Sequence, residues 1–412
     1  MKKILKIFII LMFELSIFAK SIILSPLPIP NCEVLDIELQ ECDDNCLFDY
    51  LENGKVFSFL SKAKNSENEK IKENYMLLSS TLNISPQFLA VKKMNIAMIL
   101  PTKKIGSYAI STTRSIISYL LFRNVKFHLK TFEIKDENYE TILETIENIK
   151  KENFNFIIAP LTLEGANNLA NINTENLNIF IPTINKNDVF PLENSNIIFG
   201  GINYKEQIDK LLDYANENII IFYENRSPLA YKLTKIIENE SNSSKIKEIE
   251  VQDEAANLKK FFYKNEDINS STIFLNTPIV KSSLILSQLT LYDLKPIQIL
   301  STQINYNPLL FNLTQPIDRE NLIIANSIIH PSKILEEYNS LINNDIEFNW
   351  INYSTSIGID IFFNKETMQK RVFDENIENN QINYNVMLYK ALYGKFILAP
   401  IIFQTDLENP EE

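Results

Sequence analysis

Glycine is scarce in this chain, with seven residues in 412. Loops that cradle phosphates need clustered glycines for close backbone approach, and neither G-x-G-x-x-G nor G-x-x-x-x-G-K-[ST] occurs. Histidine is scarcer still. Only His128 and His330 are present, so a Ser-His-Asp arrangement would have to use one of them. Both have plainer readings: His128 alternates with Phe127 and Leu129 in a strand-like run, and His330 precedes Pro331 at a helix entrance. There is no G-x-S-x-G elbow, no H-E-x-x-H and no C-x-x-C. Carboxylate pairs such as Asp43-Asp44 read as surface acids. The chain is therefore not expected to be an enzyme, and no cofactor is expected.

Also missing is any basic patch. The formal charge is -12, which argues against nucleic acid and against anionic lipid as partners. A zinc site needs about four ligands, and the histidines are far in sequence from the three cysteines, so no metal is expected. Apart from the first residues, no apolar run approaches the roughly 20 residues that a membrane span requires.

What is present begins with "MKKILKIFIILMFELSIFAKS", which reads as a secretory signal over residues 1–19. Lys2, Lys3 and Lys6 form its basic start, Ile7 to Phe13 its apolar stretch, and cleavage is expected after Ala19. Removal of three lysines and one glutamate takes the charge to about -14. The expected location is the periplasm, without membrane insertion after cleavage. Cys32, Cys42 and Cys46 follow shortly. In an oxidising compartment two of them should pair, and spacing does not say which. Cys32 follows "PIPN" rather than a small-residue lipobox, so it is not expected to carry a lipid.

Residues 20–90 read as a small cysteine-containing extension: a proline-rich leader, then two helix-like stretches in which Leu47, Leu51, Phe57, Phe59 and Leu60 could be buried. From Met94 the texture changes to short apolar runs alternating with amphipathic segments. "MNIAMILP", "KFHLKTFEI", "FNFIIAP", "LNIFIPTI" and "NIIFGGI" read as strands, with helices between them. The first helix, "SYAISTTRSIISYLLFR", would bury Ile110, Ile116, Ile117, Leu120 and Leu121. The alternation restarts at "YKEQIDKLLDYANE" and runs to "KPIQILST". After Pro316 come a strand, two helical stretches and a late strand, "KFILAPIIF".

Two rounds of strand and helix predict an α/β fold with two doubly wound parallel-sheet lobes and a cleft between them. Lobe 1 is expected mainly over 94–202 and lobe 2 mainly over 203–320, with 321–412 crossing back to complete both. In such sheets ligands collect at the carboxyl ends of the strands. Residues that follow strands are the cleft candidates: Thr102, Thr162, Asn185, Tyr223, Asn276 and Thr302, with Arg226 as the cation best placed for an acidic group. Polar turn and cap residues occupy strand ends in any fold of this type, which is the competing reading. Trp350, the only tryptophan, is either core or a packing residue where the lobes cross over.

"MNIAMILPTKKIGSYAISTTRSIISYLL", "FIIAPLTLEGANNLA" and "IFIPTIN" resemble the type I periplasmic ligand-binding proteins, nearer the penicillin-binding-protein activator branch than the amino-acid transport receptors. "FNWINYSTSIGIDIFF" is similar to that family's late aromatic helix with G-x-D, here Gly358 and Asp360. The resemblance spans roughly residues 94–403 and implies the bilobal fold. It also implies either a small polar ligand in the cleft or a role in contact with an envelope protein. The chain departs where transport receptors carry Gly-Pro after the third strand and a serine for a ligand carboxylate. Here stand Ala159-Pro160, Thr162 and Glu164. A ligand carboxylate about 4 Å from Glu164 would be repelled by about 4 kcal/mol at an effective dielectric near 20. The loop therefore reads first as a helix start.

Overall fold

The computed structural model describes Val34 and residues 41–63, 66–82, 93–190, 196–252 and 258–400. The signal segment, Cys32 and the proline-rich leader lie outside the described residues. Two compact units divide at residue 90, Met1–Ala90 and Val91–Glu412.

The first unit contains three helices among its described residues, Asp44–Glu52, Val56–Lys62 and Glu69–Thr81, where two were expected. Asp43 starts the first by accepting from the Cys46 amide at 2.9 Å. Cys42 pairs with Cys46 across that same turn. Leu47, Phe59, Leu60, Ile71 and Tyr75 form the buried centre. Leu51 is only half-buried, and Phe57 faces solvent. The seven-residue second helix can point just one side inward, and Phe59 and Leu60 occupy it.

In the second unit, sheet 1 contains β1 (Met94–Leu100), β2 (Phe127–Glu133), β3 (Phe156–Ile158), β4 (Asn178–Ile181) and β5 (Ile197–Phe199). Sheet 2 contains β6 (Asn218–Glu224), β7 (Lys245–Val251), β8 (Thr272–Asn276), β9 (Gln298–Ser301) and β10 (Leu322–Asn326). Two late hairpins finish them. Sheet 1 gains β11 (Asn376–Glu378) and β12 (Gln381–Asn383), and sheet 2 gains β13 (Met387–Leu392) and β14 (Lys395–Leu398). The orders are β11-β12-β5-β4-β3-β1-β2 and β14-β13-β10-β9-β8-β6-β7.

The five early strands of each sheet are parallel throughout. Central strands such as β1 and β8 are near-continuous apolar runs because helices cover both faces. The edge strands carry exposed charges, Glu133 in β2 and Lys245, Lys247 and Glu248 in β7, which blunts them against further pairing. Both lobes share one winding, in which the second strand lies outside the first and the third on its other side. The switch points therefore fall between β1 and β3 and between β6 and β8.

Helix Tyr139–Lys151 shows the local logic. Ile142, Ile146 and Ile149 make one buried stripe, Glu140 sits in its first turn, and Lys150 and Lys151 in its last. Helix Tyr108–Phe122 departs from expectation: Ile116 and Leu120 are buried, Ile117 is half-buried, and Ile110 and Leu121 are exposed. Its inward face instead carries Thr112, Ser115, Ser118 and Tyr119. Those side chains are satisfied locally or by the returning chain; Ser118 Oγ donates to the Tyr338 carbonyl at 3.3 Å.

The long helix Trp350–Thr367 is buried on nearly every side, as a helix inside a large core must be. Asn349 caps its start, and Met368 ends it in the left-handed region, with φ of 58°. Asp360 is fully buried. It accepts from the Tyr119 hydroxyl at 2.6 Å, Arg123 Nη2 at 3.1 Å, Arg371 Nε at 3.0 Å and the Val372 amide at 2.9 Å. Gly358 exists for a close approach, since a Cβ there would enter the Phe180 ring. The "G-x-D" of the sequence is thus a packing and anchoring device. Its glycine admits a ring of β4, and its aspartate ties two helices to the segment leading into β11.

Candidate functional site

At the lobe 2 switch point lies a cavity of about 410 Å³, within the range of small-molecule sites. Residues from four loops build it. Ser227 and Leu229 follow β6, Asn276 ends β8 and Thr277 to Ile279 follow it, Gln303, Ile304, Tyr306 and Asn307 follow β9, and Asp345, Phe348 and Asn349 lead into Trp350 at the start of the long helix. Tyr108 of lobe 1 and Tyr204 at the crossover complete it. The lining contains five aromatic side chains, one carboxylate, and no lysine, arginine or histidine.

Two helix starts on its wall are already answered by the chain. Ser227 accepts from the Ala230 amide at 3.2 Å, and Asn349 accepts from Ile351 and Asn352 at 3.1 and 3.3 Å. Asp345 lies exposed on the rim with one oxygen on the Glu347 and Phe348 amides, at 3.0 and 2.9 Å. Gln303 in the wall and buried Gln207 exchange hydrogen bonds. Gln207 Nε2 donates to Gln303 Oε1 at 3.0 Å, and the Gln303 amide donates to Gln207 Oε1 at 3.0 Å. Ser327 N–H also donates to Gln303 Oε1 at 3.0 Å, and this backbone donor fixes which end of the Gln303 amide is oxygen. Gln303 Nε2 and Asn276 Oδ1 are buried without partners.

The lobe 1 switch point is built differently. Beneath the loop after β3, fully buried Glu137 accepts from the Thr162 amide at 2.8 Å and from the Thr162 hydroxyl. A Cβ at Gly165 would stand 2.7 Å from Glu137 Oε1, so glycine is what lets the carboxylate seat there. The start of helix Leu163–Ala170, with its partial positive charge, is thus occupied by the chain's own anion. Glu164, the residue that drew attention in the sequence, is exposed and paired with Lys104 at 3.1 Å. That contact raises the pKa of Lys104 above its ordinary value through the hydrogen bond and charge of Glu164.

Of the cleft candidates, Asn276 lines the lobe 2 cavity, and so does Trp350. The other candidates stand elsewhere. Thr162 holds Glu137. Thr102 is half-buried and donates to Glu133. Asn185 is buried, donating to the Gly201 carbonyl at 3.0 Å and accepting from the Asn187 amide at 3.0 Å. Tyr223 is half-buried on β6, its pKa raised by burial and then by Glu248 and Glu250. Arg226 is exposed. Thr302 is fully buried behind the wall, its hydroxyl without a partner. Sequence reasoning did not single out Tyr108 and Tyr204, whose positions depend on how one lobe faces the other, nor Gln303 and Tyr306 in the loop after β9, where Thr302 was chosen instead. Glu137 was missed too, although an acid just before a helical run is a readable cue.

Among the described residues no cluster of three or more His, Cys, Asp or Glu could hold a metal, and no helix is long and apolar enough to cross a membrane. No protein-family profile matches the chain, and no curated protein matches it by sequence. Solved structures do match in fold. The leucine-binding protein LivK of Thermotoga maritima aligns with a TM-score of 0.52 and 14% identity, over 76% of this chain and 99% of that one. LivJ of Streptococcus pneumoniae, solved with isoleucine, aligns at 0.53 and 10%, over 74% and 98%. LpoA of Haemophilus influenzae aligns at 0.51 and 8%, over 87% and 72%. The bilobal unit has the type I periplasmic binding-protein fold, shared with both kinds of neighbour.

Proposed function

We propose that this chain is an exported, non-enzymatic envelope protein that works by protein contact, as a scaffold or regulator of peptidoglycan synthesis. The observation that carries this reading is Glu137. Where a transport receptor of this fold would offer a helix start to a ligand carboxylate, this chain has seated its own. A second carboxylate about 4 Å away would meet repulsion of about 4 kcal/mol at an effective dielectric near 20, close to a thousandfold in affinity.

A further support comes from coverage. Residues 91–412 are about 78% of the chain, so an LpoA match over 87% takes in part of the helical unit as well. The LivJ and LivK matches cover 74% and 76% of the chain, a share no larger than the bilobal unit. LpoA is a penicillin-binding-protein activator, which agrees with the branch that the sequence resembles.

The test is crosslinking of the mature chain in its own envelope, followed by labelling with a fluorescent β-lactam. Recovery of a labelled penicillin-binding protein that depends on this chain is the expected result. A chain that crosslinks to no labelled protein at any stage of growth sinks the peptidoglycan reading. The second reading is a small-molecule receptor for a transporter or sensor, and the lobe 2 cavity favours it. A hundredfold excess of its solute over Kd should add about 2.7 kcal/mol to stability.

A further inference from the structure

The pattern N-x-[ST] accepts N-linked sugars in exported chains. It occurs seven times here, as chance allows in a chain rich in asparagine, so the folded structure decides which copy can serve. A transferase needs the amide and the hydroxyl free on an open segment, which excludes core and helix. Asn83 lies outside the described residues. Asn352 is buried in the long helix, and Asn239 and Asn312 are in helices Pro228–Glu240 and Leu309–Leu313. Asn225 donates to Glu250, and its partner Ser227 caps a helix. Asn269 accepts from the Lys295 amide at 2.7 Å, and the hydroxyl of Ser271, 1% exposed, donates to the Ile268 carbonyl at 2.8 Å. Asn242-Ser243-Ser244 is the open copy. Asn242 and Ser244 are both exposed in the loop before β7, and neither side chain bonds to a described residue. The chain leaves helix Pro228–Glu240 extended at Ser241, with φ of -75° and ψ of 136°. Ser243, the middle residue, ties the loop down instead, accepting from the Lys245 amide at 3.2 Å and donating to the Glu217 carbonyl.

Bacterial oligosaccharyltransferases also select an acid two residues ahead of the asparagine. Glu240 holds that place for Asn242 and Asp267 for Asn269, so the two copies match in sequence and differ in fold. Glu240 pairs with Lys205 at 2.6 Å on the surface, a contact that exchanges readily. Asn242 stands on a hollow of about 530 Å³ with Asp209, Asp213, Asn216 and Glu217, whose oxygens can accept from sugar hydroxyls. We infer that Asn242 is an N-glycosylation site and that folding withholds Asn269. The donor is a polyprenyl-diphosphate oligosaccharide. Asn242 Nδ2 bonds to the anomeric carbon of its first sugar as that carbon's bond to the diphosphate oxygen breaks. The polyprenyl diphosphate leaves with the electron pair, and one Nδ2 proton passes to a base of the transferase. Because the loop precedes β7 in a parallel sheet, the sugar stands at the end away from the lobe 2 cavity. The inference rests on export, which is part of the proposed function, and not on the protein-contact role.

The experiment is mass spectrometry of the full chain purified from its own envelope, intact and as peptides. The expected result is a chain without residues 1–19, an oligosaccharide mass on the peptide that contains Asn242, and an unmodified Asn269. Asn242→Gln and Ser244→Ala should each lose the added mass, and Ser244→Thr should keep it. Both positions are exposed and unbonded within the described chain, so the variants should fold, and an unchanged thermal midpoint checks this. A cleaved chain with a bare Asn242 overturns the inference and leaves export standing. A chain that retains residues 1–19 overturns export and the inference with it. Added mass that survives Ser244→Ala overturns the site, and Asn269 occupied as fully as Asn242 overturns the selection by folding.

Discussion

Replacing Glu137 with alanine removes a buried carboxylate that holds the start of helix Leu163–Ala170. The side chain is fully buried and accepts both the amide and the hydroxyl of Thr162. Each hydrogen bond to an ionised acceptor contributes about 1.5–3 kcal/mol net, and an anion in a helix's first turn about 0.3–1 kcal/mol. These parts sum to about 3–7 kcal/mol, and since single substitutions rarely exceed about 5 kcal/mol, the expected loss is about 3–5 kcal/mol. For a unit of this size that corresponds to a fall of about 6–10 °C in thermal midpoint, at about 2 °C per kcal/mol. Glu137→Gln keeps the size and one acceptor and should lose roughly half as much.

Anion rescue separates this from generic core damage. With the carboxylate gone, the helix start and the Thr162 amide face a space of carboxylate size. Sodium acetate should then raise the midpoint of Glu137→Ala, measured against sodium chloride at equal ionic strength. It should leave the parent chain unmoved. A Glu137→Ala variant within about 1 kcal/mol of the parent would refute the account of an internal anion. So would a variant that acetate stabilises no more than chloride does.

Three further outcomes follow from the core. Gly358→Ala places a methyl group against Phe180 and should destabilise by about 1–3 kcal/mol or more, read from urea midpoints; an unchanged midpoint would mean the long helix shifts freely. Asp360→Ala strips Arg123 and Arg371 of their shared partner and should cost about 3–5 kcal/mol, whereas a loss under about 1 kcal/mol would mark the network as dispensable. Glu375 is raised above the ordinary carboxylate range by burial, with Tyr353 and Arg371 opposing. Between the ordinary value and the raised one, the folded chain holds a proton that the unfolded chain has lost. The stability this proton provides is full below the ordinary value and is lost as pH rises through the raised one. Glu375→Gln should flatten that decline in a pH series of urea midpoints, and an unchanged slope would count against it.

The bilobal fold was legible because parallel strands covered on both faces must be continuous apolar runs. "MNIAMILP" and "STIFLNTP" could hardly be anything else in a folded chain. The returning segment was harder. β11 and β12 are three residues each, mostly exposed, with no alternation to read. They form strands because β5 and a tight hairpin offer partners, which is information held outside the segment. The same distinction explains helix Tyr108–Phe122. Its apolar side was sought among isoleucines and leucines, yet its inward face carries Thr112, Ser115, Ser118 and Tyr119. Ser118, Ser115 and Tyr119 meet Tyr338, Asn344 and Asp360, more than two hundred positions away.

At the switch points, strand ends could be read one at a time, and of the residues so chosen Asn276 lies at the lobe 2 cavity. Whether a strand end faces a cavity or the chain's own side chains depends on residues that arrive from elsewhere. In lobe 1 a glutamate two residues ahead of helix Tyr139–Lys151 reaches under the loop after β3 and closes the seat. In lobe 2 nothing comparable arrives, and three amide ends, Asn276 Oδ1, Gln303 Nε2 and Asn305 Oδ1, are buried without partners. Two lobes with one winding thus end with opposite chemistry at equivalent places. A solute held mainly by lobe 2 leaves lobe 1 without a hand in closure around a charged group. This asymmetry is what the protein-contact proposal rests on, a fixed surface rather than a clamp on an amino acid, and Glu137→Ala with acetate tests it directly.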